Sequence, residues 1–329
     1  MIIDVHAHCG STDYMKLMRS RGTGPRWDGN PYPTRPGAGP PPQSDSPPDI
    51  EERLKLMDEA GVQMQVLSNP AGPYLPGAAE AVEGAHILND AYATLVRQYP
   101  DRFAAYGVLP LPHVHESVHE IGRCLDDLGM VGIVMACSIQ RERSPVEDEF
   151  EPVYEELNRR GAVVYFHPSG NGLCSPLVND YKMTYAAGAP FEDTLIGVHL
   201  IAKRIPERFP NIKFVLSHYG GALPMMLNRL DHEAPPQLEP LAEPPSVTAC
   251  RFYYDTVGHN SQIALQAAYQ AFGADHLMAG SDFAILLAFE PYPANFDCIS
   301  QSALPESDVE KILSGTAVDL LGLKVGAAG

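Results

Sequence analysis

Eight short apolar runs alternate with helix-like stretches along nearly the whole chain, and this alternation restricts the fold more than any other feature. The runs are Ile2–His6, Val62–Leu67, Phe103–Leu109, Val131–Met135, Ala162–His167, Ile212–Ser217, Phe252–Asp255 and His276–Ala279. Most are continuously apolar, the pattern of strands buried on both faces. Between them, Ile50, Leu54, Met57 and Ala60 recur at helical spacing up to a stop at Gly61. A longer helix is expected over Glu80–Gln98. Others are expected over Glu116–Leu128, Glu151–Arg160, Phe191–Arg208, Ala222–Asp231 and Ser261–Phe272. Eight strands separated by helices predict one parallel (β/α)8 TIM barrel, a single domain over residues 1–329. A doubly wound open sheet competes with it, but no G-x-G-x-x-G follows the first run.

Two stretches interrupt the alternation. Residues 22–48 hold nine prolines and five glycines, a content that predicts a loop rather than regular structure. This loop is expected to follow the first strand directly and so to lie on the C-terminal face of the barrel. Residues 233–247 (EAPPQLEPLAEPPSV) predict a second loop, between the sixth helix and the seventh strand. Proline stiffens such loops, which suits a pocket wall; a solvated surface insert is the other reading of the second one.

Lys and Arg total 23 against 41 Asp and Glu, a net charge of −18, which argues against general binding to nucleic acid or to an anionic membrane. No apolar run approaches the ~20 residues that span a bilayer. The opening MIIDVHAHCG lacks a basic n-region and reads as a buried strand, so a cytoplasmic protein is expected. Cys9, Cys124, Cys137, Cys174, Cys250 and Cys298 are scattered with no C-x-x-C pair, which predicts reduced thiols rather than a disulfide framework. Cys9, beside His8, is a minor ligand candidate.

Polar residues gather where the apolar runs end. The first ends in His6-Ala-His8, and positions i and i+2 of a strand point to the same side, so two imidazoles can reach one ion. The fifth ends in His167, the sixth in His218, and the eighth is followed by Asp282. Catalytic residues of a barrel collect at this rim. A lone histidine is usually packed or solvated. An HxH, two further histidines and an aspartate, each at a strand end, form a far more specific set. Imidazole and carboxylate ligands suit Zn²⁺, Mn²⁺ or Fe²⁺. His86, His113, His115, His119, His199, His232 and His276 lack such a context; His259, shortly after the seventh run, can touch the pocket.

The chain resembles the amidohydrolase superfamily, in its amidohydrolase 2 branch, which includes aminocarboxymuconate-semialdehyde, γ-resorcylate and 5-carboxyvanillate decarboxylases. The resemblance rests on DVHAH, NDAYATLVRQYPDRFAAYGVLPLP, DEFEPVYEELNRRGAVVYFHP, RFPNIKFVLSHYGGALPMMLNRLD, FYYDTVGHN, GADHLMAGSDF and ILSGTAVDLLGL. It covers nearly the whole chain except the two proline-rich stretches and residues 168–190. The resemblance implies that His6, His8, His167 and Asp282 bind one divalent metal, with Zn²⁺ first and Mn²⁺ or Fe²⁺ as alternatives. It implies that His218 is the catalytic acid/base. It also implies that Arg229 reaches the active site of a second subunit in a homodimer and grips a substrate carboxylate, although a surface ion pair is an equal reading. A guanidinium fork matches a carboxylate well. No lysine ends the fourth run (Gly132–Cys137), which favours one metal over a lysine-bridged pair. Asp282-Phe-Ala and Ser314-Gly-Thr-Ala depart from the Asp-Tyr/Phe-Pro and Gly-Asn-Ala of many relatives, which bears on substrate more than on metal.

Such a site predicts a metal-dependent carboxy-lyase, the non-oxidative decarboxylation of an aromatic or unsaturated carboxylic acid, with Asp282 both ligand and proton acceptor. The same residues can hydrolyse a lactone, ester or amide, or hydrate an enol acid; with Fe²⁺ they can activate O₂. A non-catalytic binding protein would leave all five family positions idle. Tyr219 and Phe283, next to site residues, are either substrate-pocket candidates or core-packing residues. Trp27 is either a pocket residue or a loop anchor.

Overall fold

The computed structural model describes residues 1–21, 41–69, 72–140, 142–233 and 241–325. The chain opens with β1 (Ile2–His8), α1 (Thr12–Ser20), α2 (Pro47–Glu59) and β2 (Val62–Ser68), then α3 (Ala78–Gln98), β3 (Phe103–Val108), α4 (Val114–Gly122) and β4 (Gly132–Ala136). It continues through α5 (Glu151–Arg160), β5 (Val163–His167), α6 (Pro176–Asn179), α7 (Ala189–Ala202), α8 (Ile205–Arg208) and β6 (Lys213–Leu216). α9 (Leu223–Glu233), α10 (Pro245–Ala249), β7 (Tyr253–Asp255), α11 (Gln262–Phe272) and β8 (Leu277–Met278) follow. The last helices are α12 (Ala294–Ser300), α13 (Glu306–Glu310) and α14 (Thr316–Leu321).

The eight strands form one sheet in the order β1 to β8, and every pairing is parallel. Val5 N–H donates to Ala279 O (2.9 Å) and Ala7 pairs with Phe283, which brings β1 beside the end of β8 and closes the barrel. The strand side chains fall in two buried clusters. Ile3, Val5, Val66, Tyr106, Val134, Tyr165, Val215 and Met278 belong to one, and Ala7, Leu67, Ala105, Ile133, Val164, Phe166 and Leu216 to the larger one. All eight apolar runs are therefore barrel strands, with ends shifted by one or two residues. No helix among the described residues is long and apolar enough to cross a membrane, and no disulfide joins any of the six cysteines.

The structure corrects five local expectations. The proline-rich stretch does not follow β1 directly: α1 intervenes, capped by Ser11, which accepts from Tyr14 N–H, and anchored by buried Tyr14 and Met18 one turn apart. Pro47 and Pro48 belong to the first turn of α2, where the missing proline N–H costs no hydrogen bond. Pro245–Val247 similarly begin α10 rather than a loop. The helix expected over Phe191–Arg208 breaks at Arg204, whose φ of 55° separates α7 from α8, with Pro206 in the first turn of α8. The helix expected over Glu116–Leu128 becomes α4 followed by a wider π turn at Arg123–Asp127. Residues 22–40, which include Trp27, and 234–240 lie outside the described residues.

Candidate metal centre and active site

The C-terminal ends of β1 and β5 and the segment after β8 bring four side chains to one point. His6 Nε2 lies 3.2 Å from His8 Nε2 and 3.1 Å from His167 Nε2. Asp282 Oδ1 lies 2.9 Å from His8 Nε2 and 3.5 Å from His6 Nε2. One ligand atom from each residue falls within 4.8 Å of every other, and no second group of this kind occurs among the described residues.

The opposite nitrogens are tied down. His6 Nδ1 is 2.9 Å from Asp255 Oδ2, His167 Nδ1 is 2.9 Å from the carbonyl of Pro168, and His8 Nδ1 is 3.3 Å from Ser68 Oγ. A carboxylate and a carbonyl only accept, so Nδ1 of His6 and of His167 carries the proton and Nε2 presents a lone pair. Three nitrogens facing one another need a cation between them. Asp282 Oδ1 is buried without a hydrogen bond of proper geometry although His8 Nε2 stands 2.9 Å away, the relation of two ligands sharing an ion. With metal–nitrogen bonds of about 2.0–2.1 Å, spacings near 3.2 Å correspond to an angle of about 100° at the metal, close to tetrahedral. Burial drives the pKa of His8 down and that of His167 well below the ordinary value, so both are held in the neutral, ligating form. Burial opposes ionisation of Asp282, but His218 and His8 overcome it and hold its carboxyl well below the usual range. These four residues could hold one divalent ion.

His218 stands beside the cluster. Its Nδ1 is 2.9 Å from Asp193 Oδ2 on α7, and its Nε2 is 3.9 Å from Asp282 Oδ2. Burial disfavours its charge, yet the buried Asp193 carboxylate outweighs that and raises the His218 pKa well above its ordinary value. The backbone here is unusual: His218 and Tyr219 have φ of 52° and 57°. Non-glycine residues in this region mark a turn that its surroundings impose. Gly221 makes the turn possible, because a Cβ there would stand 1.9 Å from Pro190 O.

Asp255 ties the two halves together. It accepts from His6 Nδ1–H, the Tyr165 hydroxyl (2.7 Å) and the backbone N–H groups of His218 and Val257 (3.0 Å each). Although burial opposes its charge, His6 leads the interactions that bring its pKa below the ordinary value. Beneath the site, buried Arg53 donates to His8 O (2.6 Å) and Gln65 Oε1 (2.9 Å), and its guanidinium lies 4.5 Å from the centre of the Phe283 ring. Asp4 accepts from Ser281 and Tyr292 hydroxyls, linking β1 to the segment that carries Asp282; burial raises its pKa to about 6. Glu192, next to Asp193, accepts from the N–H groups of Ser169, Asn171 and Gly172 and anchors the chain just beyond His167.

His6, His8, His167, His218 and Asp282, all read from strand ends in the sequence, therefore meet. The substrate-binding candidates are placed differently. Tyr219 and Phe283 are buried, at 4% and 1% exposure. Arg229 lies on the surface of α9, 69% exposed and 2.7 Å from Glu233. His259 is half exposed, 3.8 Å from Glu290, which leads the interactions that raise its pKa, and the charges of Asp282 and His218 reach it. Cys9 is buried and bonds Gly10 O, outside the ligand cluster. Sequence reasoning missed Asp193, Asp255, Asp4, Glu192 and Arg53. Two adjacent acids, Glu192-Asp193, at the start of the otherwise apolar FEDTLIGVHLIA stretch were a usable signal.

The chain is 28% identical over 281 residues to 2-amino-3-carboxymuconate-6-semialdehyde decarboxylase of Dictyostelium discoideum, covering 84% of this chain and 77% of that one. It is 28% identical over 291 residues to the γ-resorcylate decarboxylase of Rhizobium sp. strain MTP-10005, covering 80% and 84%. The fold is shared with the dihydroxybenzoic acid decarboxylase of Polaromonas sp. JS666, solved with manganese and the inhibitor 2-nitroresorcinol. The TM-score is 0.80 and the identity 23%, over 98% of this chain and 97% of that one. A family model described as amidohydrolase matches residues 3–323, and the chain belongs to that family.

Proposed function

We propose that this protein is a metal-dependent carboxy-lyase that removes CO₂, without an oxidant, from an aromatic or unsaturated carboxylic acid. The observation that carries the reading is the pairing of three imidazoles and one carboxylate, grouped so that they could hold a metal ion, with a separate histidine bonded to the buried Asp193. A hydrolase has use for a metal site; a protonated imidazole beside it suits a reaction that ends by placing a proton on carbon. The relatives named as decarboxylases support the same direction. Zn²⁺ is the ion we favour, on the near-tetrahedral imidazole spacing, with Mn²⁺ and Fe²⁺ able to use the same donors.

His6, His8, His167 and Asp282 would hold the ion. When bound, it supplies Lewis acidity and a fixed orientation for the substrate's carboxylate and a neighbouring oxygen. The chain's own residues do the rest. Asp193 accepts from His218 Nδ1–H and favours the imidazolium form, whose Nε2–H is the proton to be donated. As the carbon–carboxyl bond breaks, its electron pair stays on the carbon, CO₂ departs and the proton from Nε2 replaces it. Asp255 keeps His6 and the His218 backbone in register through the step.

We further propose that the active unit is a homodimer in which Arg229 meets the substrate carboxylate of the neighbouring subunit. Met225, 79% exposed, and Arg229 lie one turn apart on the same face of α9. Leu177, Tyr181, Met183, Phe191 and Leu195 expose apolar surface on and around α6 and α7, which a second copy would cover. Tyr219 and Phe283 would act on substrate only by shaping the floor, and Trp27 as a pocket residue belongs to the same proposal. Six free thiols suit a reducing, cytoplasmic compartment.

The test is a panel of ortho-hydroxybenzoates and unsaturated carboxylic acids given to metal-loaded protein. CO₂ and a product one carbon shorter are expected, and His218→Gln should keep its metal while losing about 10²–10⁴-fold in rate. A product that keeps its carboxylate and gains water would replace this reading with hydration or hydrolysis.

A further inference from the structure

A second pair of imidazoles lies on the outside of the barrel. His115 and His119 sit at i and i+4 on α4, both exposed, with the His115 side chain 81% accessible. Residues four apart on a helix are surface neighbours. Here their Nε2 atoms are 3.2 Å apart, the separation found between His6 and His8 in the metal centre. Metal–nitrogen bonds of about 2.0–2.1 Å span that distance at an angle of about 100°, so both nitrogens can bind one ion without moving. Glu116 Oε1 lies 3.8 Å from His115 Nδ1, a carboxylate close to the pair but beyond hydrogen-bond distance. Water would fill the remaining positions, since the helix face is open.

We propose that His115 and His119 form a second metal site, a surface chelate for a late first-row divalent ion such as Cu²⁺, Ni²⁺ or Zn²⁺. Two imidazoles and water select these ions over Mn²⁺ and Mg²⁺, which prefer oxygen. The barrel centre, with its carboxylate and enclosed geometry, holds its ion independently. The chain then takes up two late-row ions where it takes up one Mn²⁺, and the outer one exchanges freely with solvent.

The alternative for this geometry is a simple hydrogen bond, one imidazole donating Nε2–H to the other. Equilibrium dialysis against Ni²⁺ followed by elemental analysis separates the two. The wild type should bind one more ion per chain than His119→Ala or His115→Ala. His167→Ala, which opens the barrel centre, should keep the outer ion and lose the inner one. Both α4 positions are exposed, so these variants should melt with the wild type, and a superimposable melt confirms that fold loss is not being read. Equal nickel content in wild type and His119→Ala overturns the proposal. So does loss of the outer ion in His167→Ala, since the two sites would then not be independent; neither result touches the assignment of the barrel centre, which His167→Ala reads separately.

Discussion

Replacing Asp193 with Asn removes the charge that holds His218 protonated while nearly preserving shape. Asp193 is fully buried, and its two oxygens are engaged by Ser217 Oγ (2.6 Å) and His218 Nδ1 (2.9 Å). A hydrogen bond to a charged group contributes about 1.5–3 kcal/mol. At about 1.36 kcal/mol per pKa unit, its loss should lower the His218 pKa by about 1–2 units. If the Asn amide nitrogen turns toward Nδ1, the imidazole is also forced into the tautomer with its proton on Nε2, which can no longer accept one. Side-chain NMR of zinc-loaded protein with labelled histidine reads the pKa directly, the signal being assigned by its loss in His218→Gln. The alkaline limb of the rate profile should shift to lower pH by the same amount, and turnover should fall by about 10²–10⁴-fold at unchanged metal content. An unaltered His218 titration, with turnover within a few-fold of wild type, would refute the role given to Asp193.

Other consequences are equally open to measurement. Asp4 has its pKa raised by burial to about 6 from 3.8, so the folded state keeps this proton while the unfolded chain has lost it. Stability should therefore fall as pH rises from about 4 to 6, by about 3 kcal/mol from this group; Asp4→Asn should flatten that part of a denaturation-versus-pH curve, and an unchanged slope would contradict the assignment. His167→Ala should lose metal under dialysis that leaves the wild type loaded, as read by elemental analysis. Mixing Arg229→Ala with His218→Ala chains should restore part of the activity, because one site of the heterodimer would hold an intact His218 and the partner's intact Arg229. Verified heterodimers as inactive as both parents would leave Arg229 as the Glu233-paired surface cation seen on one chain.

The meeting of the proposed metal ligands was legible in the sequence because strand geometry is local. His6 and His8 share a side through the two-residue repeat, and His167, His218 and Asp282 each close an apolar run, so the barrel alone places them on one rim. The residues that tune them were not legible for the opposite reason. Asp193 reaches His218 across 25 positions because α7 packs on β6, and Asp255 reaches His6 across 249 because the barrel closes. No periodicity encodes either contact. α1 was masked by the prolines that follow it, although Ser11, Asp13 and the Tyr14–Met18 spacing carry a capped amphipathic helix. The break at Arg204 could be anticipated from Pro206, but its left-handed backbone could not. Arg229 shows the remaining boundary: the sequence around it describes a helix, and no local pattern in one chain says what its exposed face would meet.

The assignment of the metal centre is tested most directly by anomalous diffraction at the manganese edge, from crystals of protein loaded with one equivalent of Mn²⁺. One peak per chain is predicted, within ligand distance of Nε2 of His6, His8 and His167 and of Oδ1 of Asp282, with His218 beside it and unbound. A peak elsewhere, or none at this cluster in crystals shown to contain the ion, would contradict the central claim.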